Sequence, residues 1–168
     1  MTRSAQVSSL EQLMYRNERW MYRDGHPNRV AKLLNRMWAW VGRTGLWRNR
    51  VVTLEVRGRQ SGRSISSPLI VADLDGERYL VSMLGERASW VANVRAAGGE
   101  AVLRHGRTEQ VRLLELEPAL RAPVIRRHLE VAPAARSFVP VDRHAPLSEF
   151  EKVADSIPVF QIQTAVRS

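Results

Sequence analysis

The hydrophobic pattern of the chain changes character near residue 50. Before it the period is helical. Ser9 and Gln12 have the spacing of a capping box, and Leu10, Leu13, Met14 and Met21 share one face behind them. The breaker Gly25-His26-Pro27-Asn28 follows. A second helix is predicted from Val30, where Val30, Leu34, Met37, Trp38 and Val41 form an apolar stripe opposite Lys32, Arg36 and Arg43, and Gly42 and Gly45 end it. After Arg50 the period becomes that of strands. Val51 to Val56 is short and β-branched, and Pro68 to Asp73 and Tyr79 to Leu84 flank the turn dipeptide Asp75-Gly76. Ala88 to Ala97 reads as a helix with Trp90, Asn93, Val94 and Ala97 on one side. A second hairpin joins Ala101–Leu103 to Val111–Leu116 around Gly106.

A further helix runs from Pro118 or Pro123 to Val131, with Leu120, Val124, His128 and Val131 facing inward and His128 expected as a hydrogen-bonded core residue. The proline-rich loop Pro133 to Pro146 is long enough to suggest function, and Pro158 to Gln163 closes the chain as a strand. Short antiparallel strands with a helix inserted after the third predict a mainly β, α+β chain folded as a small antiparallel barrel. The boundaries are a helical segment at 1–48, outside the barrel, and a barrel domain at 49–168.

Composition narrows the function classes. The 168 residues suit one domain, and the absence of cysteine removes disulfides, thiolate nucleophiles and cysteine-ligated metals. The longest uncharged run, Ser156 to Val166, is too short to span a bilayer, and no apolar leader opens the chain, so a cytoplasmic protein is expected. The net charge of +9 is unevenly placed. Residues 1–50 hold ten Lys or Arg against Glu11, Glu18 and Asp24, together with Trp20, Trp38, Trp40 and Trp47. Such a segment asks for packing on the barrel first, then contact of residues 8–47 with an anionic membrane. Nucleic acid is not expected, because the apolar and basic faces are segregated rather than interleaved.

Within the barrel the loop Arg57-Gly58-Arg59-Gln60-Ser61-Gly62-Arg63 gathers three guanidinium groups, a hydroxyl and two glycines between the first two strands. It suits a phosphate or polycarboxylate, by backbone N–H groups and bidentate arginine contacts, and equally a solvated turn. Neither a Walker pattern nor Gly-x-Gly-x-x-Gly occurs. Trp90 and Asn93 present an aromatic plane and an amide in one direction, which fits either a planar heterocycle or a core. His26, His105, His128 and His144 lack ligand spacing, no acid pair is placed for hydrolysis, and Ser82 and Ser89 lack a nucleophile elbow. What stays open is a protein that positions a cofactor carrying the reactivity itself.

The ordered set Gly58-Arg59-Gln60-Ser61-Gly62, Pro68-Leu69, Gly85-Glu86-Arg87 and Trp90-Val91-x-Asn93-Val94-Arg95-Ala96-Ala97-Gly98-Gly99 resembles the bacterial deazaflavin-dependent nitroreductase and quinone reductase family. Phe138-x-Pro140-Val141-Asp142, His144-Ala145-Pro146-Leu147 and Pro158-Val159-Phe160 continue the match, which spans about residues 50–163. The resemblance implies a split β-barrel binding reduced coenzyme F420, which delivers a hydride from its C5 to a quinone, a nitroaromatic or an activated enone. It implies that Arg59, Gln60, Ser61, Gly62 and Arg63 lie near the phosphate and oligoglutamate tail, with Arg57 or Arg63 compensating where Gln60 replaces the lysine often found in the family. It further implies that Pro68, Leu69, Ser82, Met83, Leu84, Gly85, Trp90 and Asn93 border the ring.

The family's nitro-reducing members use tyrosines after the last helix. This chain offers Phe138, His144 and Phe150 there, which implies a greasier pocket, with His144 or solvent as proton donor. A homodimer is a further implication. Two rivals accompany this reading: the same barrel with FMN or haem, and a non-catalytic deazaflavin-binding protein.

Overall fold

The computed structural model describes residues 50–165. The predicted N-terminal helices, the 1–48 boundary and the membrane contact of residues 8–47 lie outside the described residues. Six strands, β1 (Val51–Arg57), β2 (Ser64–Leu74), β3 (Glu77–Val81), β4 (Glu100–His105), β5 (Arg107–Glu115) and β6 (Val159–Thr164), close into a barrel in the order β1-β2-β3-β6-β5-β4. Every neighbouring pair is antiparallel, as the sequence predicts. Alternation places Val52, Leu54 and Val56 of β1 inward, where they meet Leu80, Leu103, Val111, Leu113, Phe160 and Ile162.

Helix α1 (Ser89–Ala96) follows β3 and buries Trp90, Val91 and Val94 in that interior, with the Trp90 and Phe160 rings 5.4 Å apart at 58°. Helix α2 (Ala122–Val131) packs on β2 and carries a buried row of Val124, Ile125, His128 and Leu129. The short α3 (Leu147–Glu151) packs on α2 through the fully buried Phe150. Among the described residues no helix is long and apolar enough to cross a membrane.

The hairpin at Asp75-Gly76 forms because both residues adopt positive φ, 52° and 82°, which matches the strand twist. Elsewhere the structure adjusts the predicted boundaries. β2 starts at Ser64, four residues before Pro68, because Ser64–Ser67 pairs with β1 while its three serines keep it out of the hydrophobic pattern. β3 stops at Val81, because the Ser82 hydroxyl donates to the Gly85 carbonyl (2.8 Å) and draws the backbone into a turn. Leu120, predicted to face inward, is 60% exposed: it belongs to a separate 3-10 turn, Pro118–Leu120, out of register with α2. His128 is buried as expected, but its Nδ1 has no hydrogen-bond partner.

The turn from α1 into β4 depends on Gly99. Its φ is +85°, its carbonyl accepts from the Leu113 N–H (2.8 Å), and an added Cβ would lie 2.5 Å from the Leu113 oxygen. Gly99→Ala is expected to lower the unfolding free energy by about 2 kcal/mol in urea titrations, through strain at positive φ and displacement of the ladder. A loss no larger than that of Gly98→Ala, where the position is open, would refute the contact argument.

Candidate functional site

The arginine-rich loop connects β1 to β2 beyond the pair Arg57↔Ser64. It folds back on itself: the Gly58 N–H donates to the Arg63 carbonyl (2.8 Å), the Gly62 N–H to the Gly58 carbonyl (2.8 Å), and the Arg63 N–H to Ser61 Oγ (3.3 Å). Gly58 allows this close approach, since a Cβ there would come within 2.6 Å of Ile65 Cδ1. The arrangement leaves the Gln60 and Ser61 N–H groups without an acceptor among the described residues, at an exposed tip. Arg57, Arg59 and Arg63 meet no carboxylate among the described residues.

Elsewhere in the barrel several arginines are matched by acids. Arg50 is paired with Asp73, Arg78 with Glu109, Arg104 with Glu55, and Arg127 with Asp73 and Glu130. The arginine beside Glu109 holds its carboxyl below the usual range, and Arg50 does the same for Asp73. The loop cations are therefore available to a ligand in a way these paired ones are not.

Helix α1 joins the loop to the apolar core. Its Trp90 enters the core, where half-buried Leu69 and Leu84 pack against the same cluster. One turn later the Asn93 Oδ1 accepts from both the Arg59 backbone N–H (3.2 Å) and the Arg59 Nη1 (2.9 Å). Of the residues that the resemblance puts around a ring, Leu69, Leu84 and Trp90 thus share one core cluster. Asn93 meets the arginine loop, Pro68 and Met83 are half-buried nearby in the chain, and Ser82 is buried and occupied by Gly85. A separate groove of about 570 Å³ opens where β1 and β4 part, since they pair only over Thr53–Glu55 and Val102–Arg104. Arg57, Gly62 and Ser64 line one side of it, Ala97 and Glu100 the other.

The expected acceptor residues are not gathered in the same way. Phe138 is half-buried after the 3-10 turn Pro133–Ser137. His144 is exposed, with its backbone N–H on Asp142 Oδ1 (2.8 Å) and its Nε2 accepting from Arg143 Nε (2.9 Å). Phe150 is wholly enclosed between α2 and α3. Among the described residues no cluster of His, Asp or Glu has the form of a metal site.

Sequence reasoning missed a second element, a chain of charges behind the turn at Gly85. Arg95 donates to Glu86 (2.5 and 2.9 Å) and to Glu115 (2.8 and 2.6 Å), and Glu115 accepts in turn from Arg121 (3.2 Å). The hydrogen bond from Arg95 lowers the Glu86 pKa, and both glutamates raise that of Arg95. Arg121, 6% exposed, also donates to the carbonyls of Leu116 (2.8 Å) and Ala154 (3.2 Å). Arg95 and Glu115 stand 20 residues apart, and Arg121 and Ala154 stand 33 apart, separations that no local signal announces.

The family model of F420H(2)-dependent quinone reductases matches residues 29–147, well over half of the chain. The chain belongs to that family. The resemblance drawn from the motifs is borne out, and the match begins ahead of the first strand, at the start of the predicted second helix. Dependence on F420H2 across the family implies coenzyme F420 as the cofactor. No curated protein matches the chain.

Solved structures supply the fold alone. A protein of unknown function from Agrobacterium tumefaciens has a TM-score of 0.51 at 12% identity, over 69% of this chain and 48% of that one. A protein described as a domain-swapped dimer has a TM-score of 0.50 at 17% identity, over 95% and 100%. An F420-H2 dependent reductase, FDR-A, is 20% identical over 68% and 94%, with a TM-score of 0.48. The residues of the arginine loop fit the family's cofactor, because open backbone N–H groups and carboxylate-free guanidinium groups are the donors a phosphate and a carboxylate tail require.

Proposed function

We propose that the chain is a reductase that uses F420H2 to reduce a small oxidised organic acceptor, a quinone, a nitroaromatic or an activated enone. The observation that carries the reading is the loop 57–63, whose three arginines meet no carboxylate among the described residues and which Arg59 ties, through Asn93, to the helix whose Trp90 shares the core with Leu69 and Leu84. Arg57, Arg59, Gln60, Ser61 and Arg63 hold the phosphate and tail. Leu69, Leu84 and Trp90 border the ring and keep water from it. The reduced deazaflavin supplies the hydride when bound, and the chain contributes orientation. The proton that completes a two-electron reduction comes from exposed His144 or from solvent. We also propose a homodimer, for which light scattering at twice 19.1 kDa is the expected result and a 19.1 kDa particle the refutation.

Parallel titrations of the full chain with F420, FMN and haem test the cofactor. Tightest binding of F420 is expected, weakening as salt rises because the loop contributes charge. Arg59→Ala is expected to weaken it about tenfold, the scale of one charge-assisted contact. Tighter binding of FMN or haem, or an unaltered affinity in Arg59→Ala, would overturn the assignment. Oxidation of F420H2 by a quinone, a nitroaromatic and an enone, each compared with the rate without protein, then tests the reductase activity.

A further inference from the structure

Every other arginine side chain described as fixed by another side chain's oxygen is held chiefly by carboxylates; Arg59 is held by an amide. Its backbone N–H and its Nη1 converge on one oxygen, Asn93 Oδ1, at 3.2 and 2.9 Å, and Asn93 is only 2% exposed. An aspartate would fill the same volume and accept both bonds. It would also form an ion pair, which cancels the field that an approaching anion meets. A neutral acceptor fixes the arginine and leaves its charge in place. The same bond to the Arg59 N–H holds the backbone directly before Gln60 and Ser61, whose N–H groups have no acceptor among the described residues.

We infer that Asn93 is a positioning residue of the anion loop, selecting for the phosphorylated end of the cofactor through Arg59 rather than contacting the ring. The inference rests on the reading of residues 57–63 as the phosphate and tail site. It departs from the placement of Asn93 at the ring that the resemblance implies, and the two make opposite demands on a ligand without phosphate. A ring contact acts on the deazaflavin nucleoside, which lacks phosphate and glutamates, as strongly as on F420. A loop-positioning residue acts on F420 alone.

The test is a fluorescence titration of the full-length wild type and Asn93→Asp with F420 and with that nucleoside, at low and high salt. Asn93→Asp is expected to weaken F420 about tenfold, flatten its salt dependence and leave the nucleoside unchanged. Asn93→Ser, which is neutral and too short to reach both donors, is expected to give a smaller loss with the same selectivity, and decides the question if the aspartate variant does not fold. Equal losses on both ligands, or no loss on F420, would overturn the inference. A wild-type chain that binds no F420 overturns the underlying reading as well, whereas a wild type that binds and variants that do not discriminate overturn the inference only.

Discussion

Arg121→Met is expected to lower the unfolding free energy by about 4 kcal/mol, within the range for breaking a buried, hydrogen-bonded ion pair. The guanidinium is enclosed and donates to four carbonyls, those of Leu116, Ala154, Asp155 and Ile157, at 2.8 to 3.5 Å, as well as to Glu115. A methionine of similar length fills the space but leaves the buried Ile157 carbonyl without a donor and the Ala154 carbonyl with the Ile157 N–H alone. The damage does not stop there. Segment 154–157 sets Ser156 against Gly85, where an added Cβ would lie 2.7 Å from the Ser156 oxygen, and leads into Pro158, whose carbonyl accepts from the Ser82 N–H (2.9 Å). Arg121 therefore supports the Ser82–Gly85 turn, next to Leu84, from behind. Urea denaturation gives the global loss, and hydrogen exchange at the Ser82 amide gives the local one. A global loss below about 1 kcal/mol would show that the carbonyls find other donors.

The contrast between Arg59 and Arg121 explains what the sequence could and could not reveal. Arg59 belongs to a dense local signal: two glycines, three arginines and a hydroxyl within seven positions, between two β-branched runs. Its suitability for an anion, which underlies the proposed function, is read from composition and spacing alone. Arg121 stands in an ordinary helical stretch, and its function depends on carbonyls 33 to 36 residues away, which periodicity does not register. Asn93 lies between these cases. The three-residue spacing from Trp90 put both on one face of α1, yet their partners differ: Phe160 for one, Arg59 for the other.

The same distinction holds for the strands. Asp75-Gly76 carries its geometry in its residue types, whereas the start of β2 at Ser64 depends on pairing with Arg57, and the exposure of Leu120 on a turn that interrupts the helical register. Charge follows this pattern too. Net positive charge on the barrel is a poor guide to a site, because part of it is consumed by acids across the sheet, as at Arg50, Arg78, Arg95 and Arg104. The informative quantity is which cations the fold leaves unpaired.

His128 offers the clearest dependence on pH. Its ring is 3% exposed on the inner face of α2, with Nδ1 unpartnered, and burial lowers its pKa from the ordinary 6.5 to about 4. Above pH 6.5 the ring is neutral in both folded and unfolded chains and titration contributes nothing. As the pH falls below 6.5 the unfolded chain takes up a proton that the folded one refuses, so stability declines until about pH 4, where the folded chain accepts it too. The loss from His128 between pH 7 and 5 is about 2 kcal/mol, and about 3 kcal/mol over the whole window. Asp73, Glu86 and Glu109 behave oppositely in range: their folded pKa values lie below the ordinary 3.8, 4.5 and 4.5, so the stability they contribute is lost only in more acid solution. His128→Leu keeps the volume, removes the unpartnered nitrogen, and is expected to be at least as stable as the wild type at pH 7. Its advantage should widen by about 2 kcal/mol at pH 5, read from urea midpoints at the two pH values. Parallel pH profiles for the two proteins would mean that the ring gains a partner on protonation, and that its burial costs the fold nothing in acid.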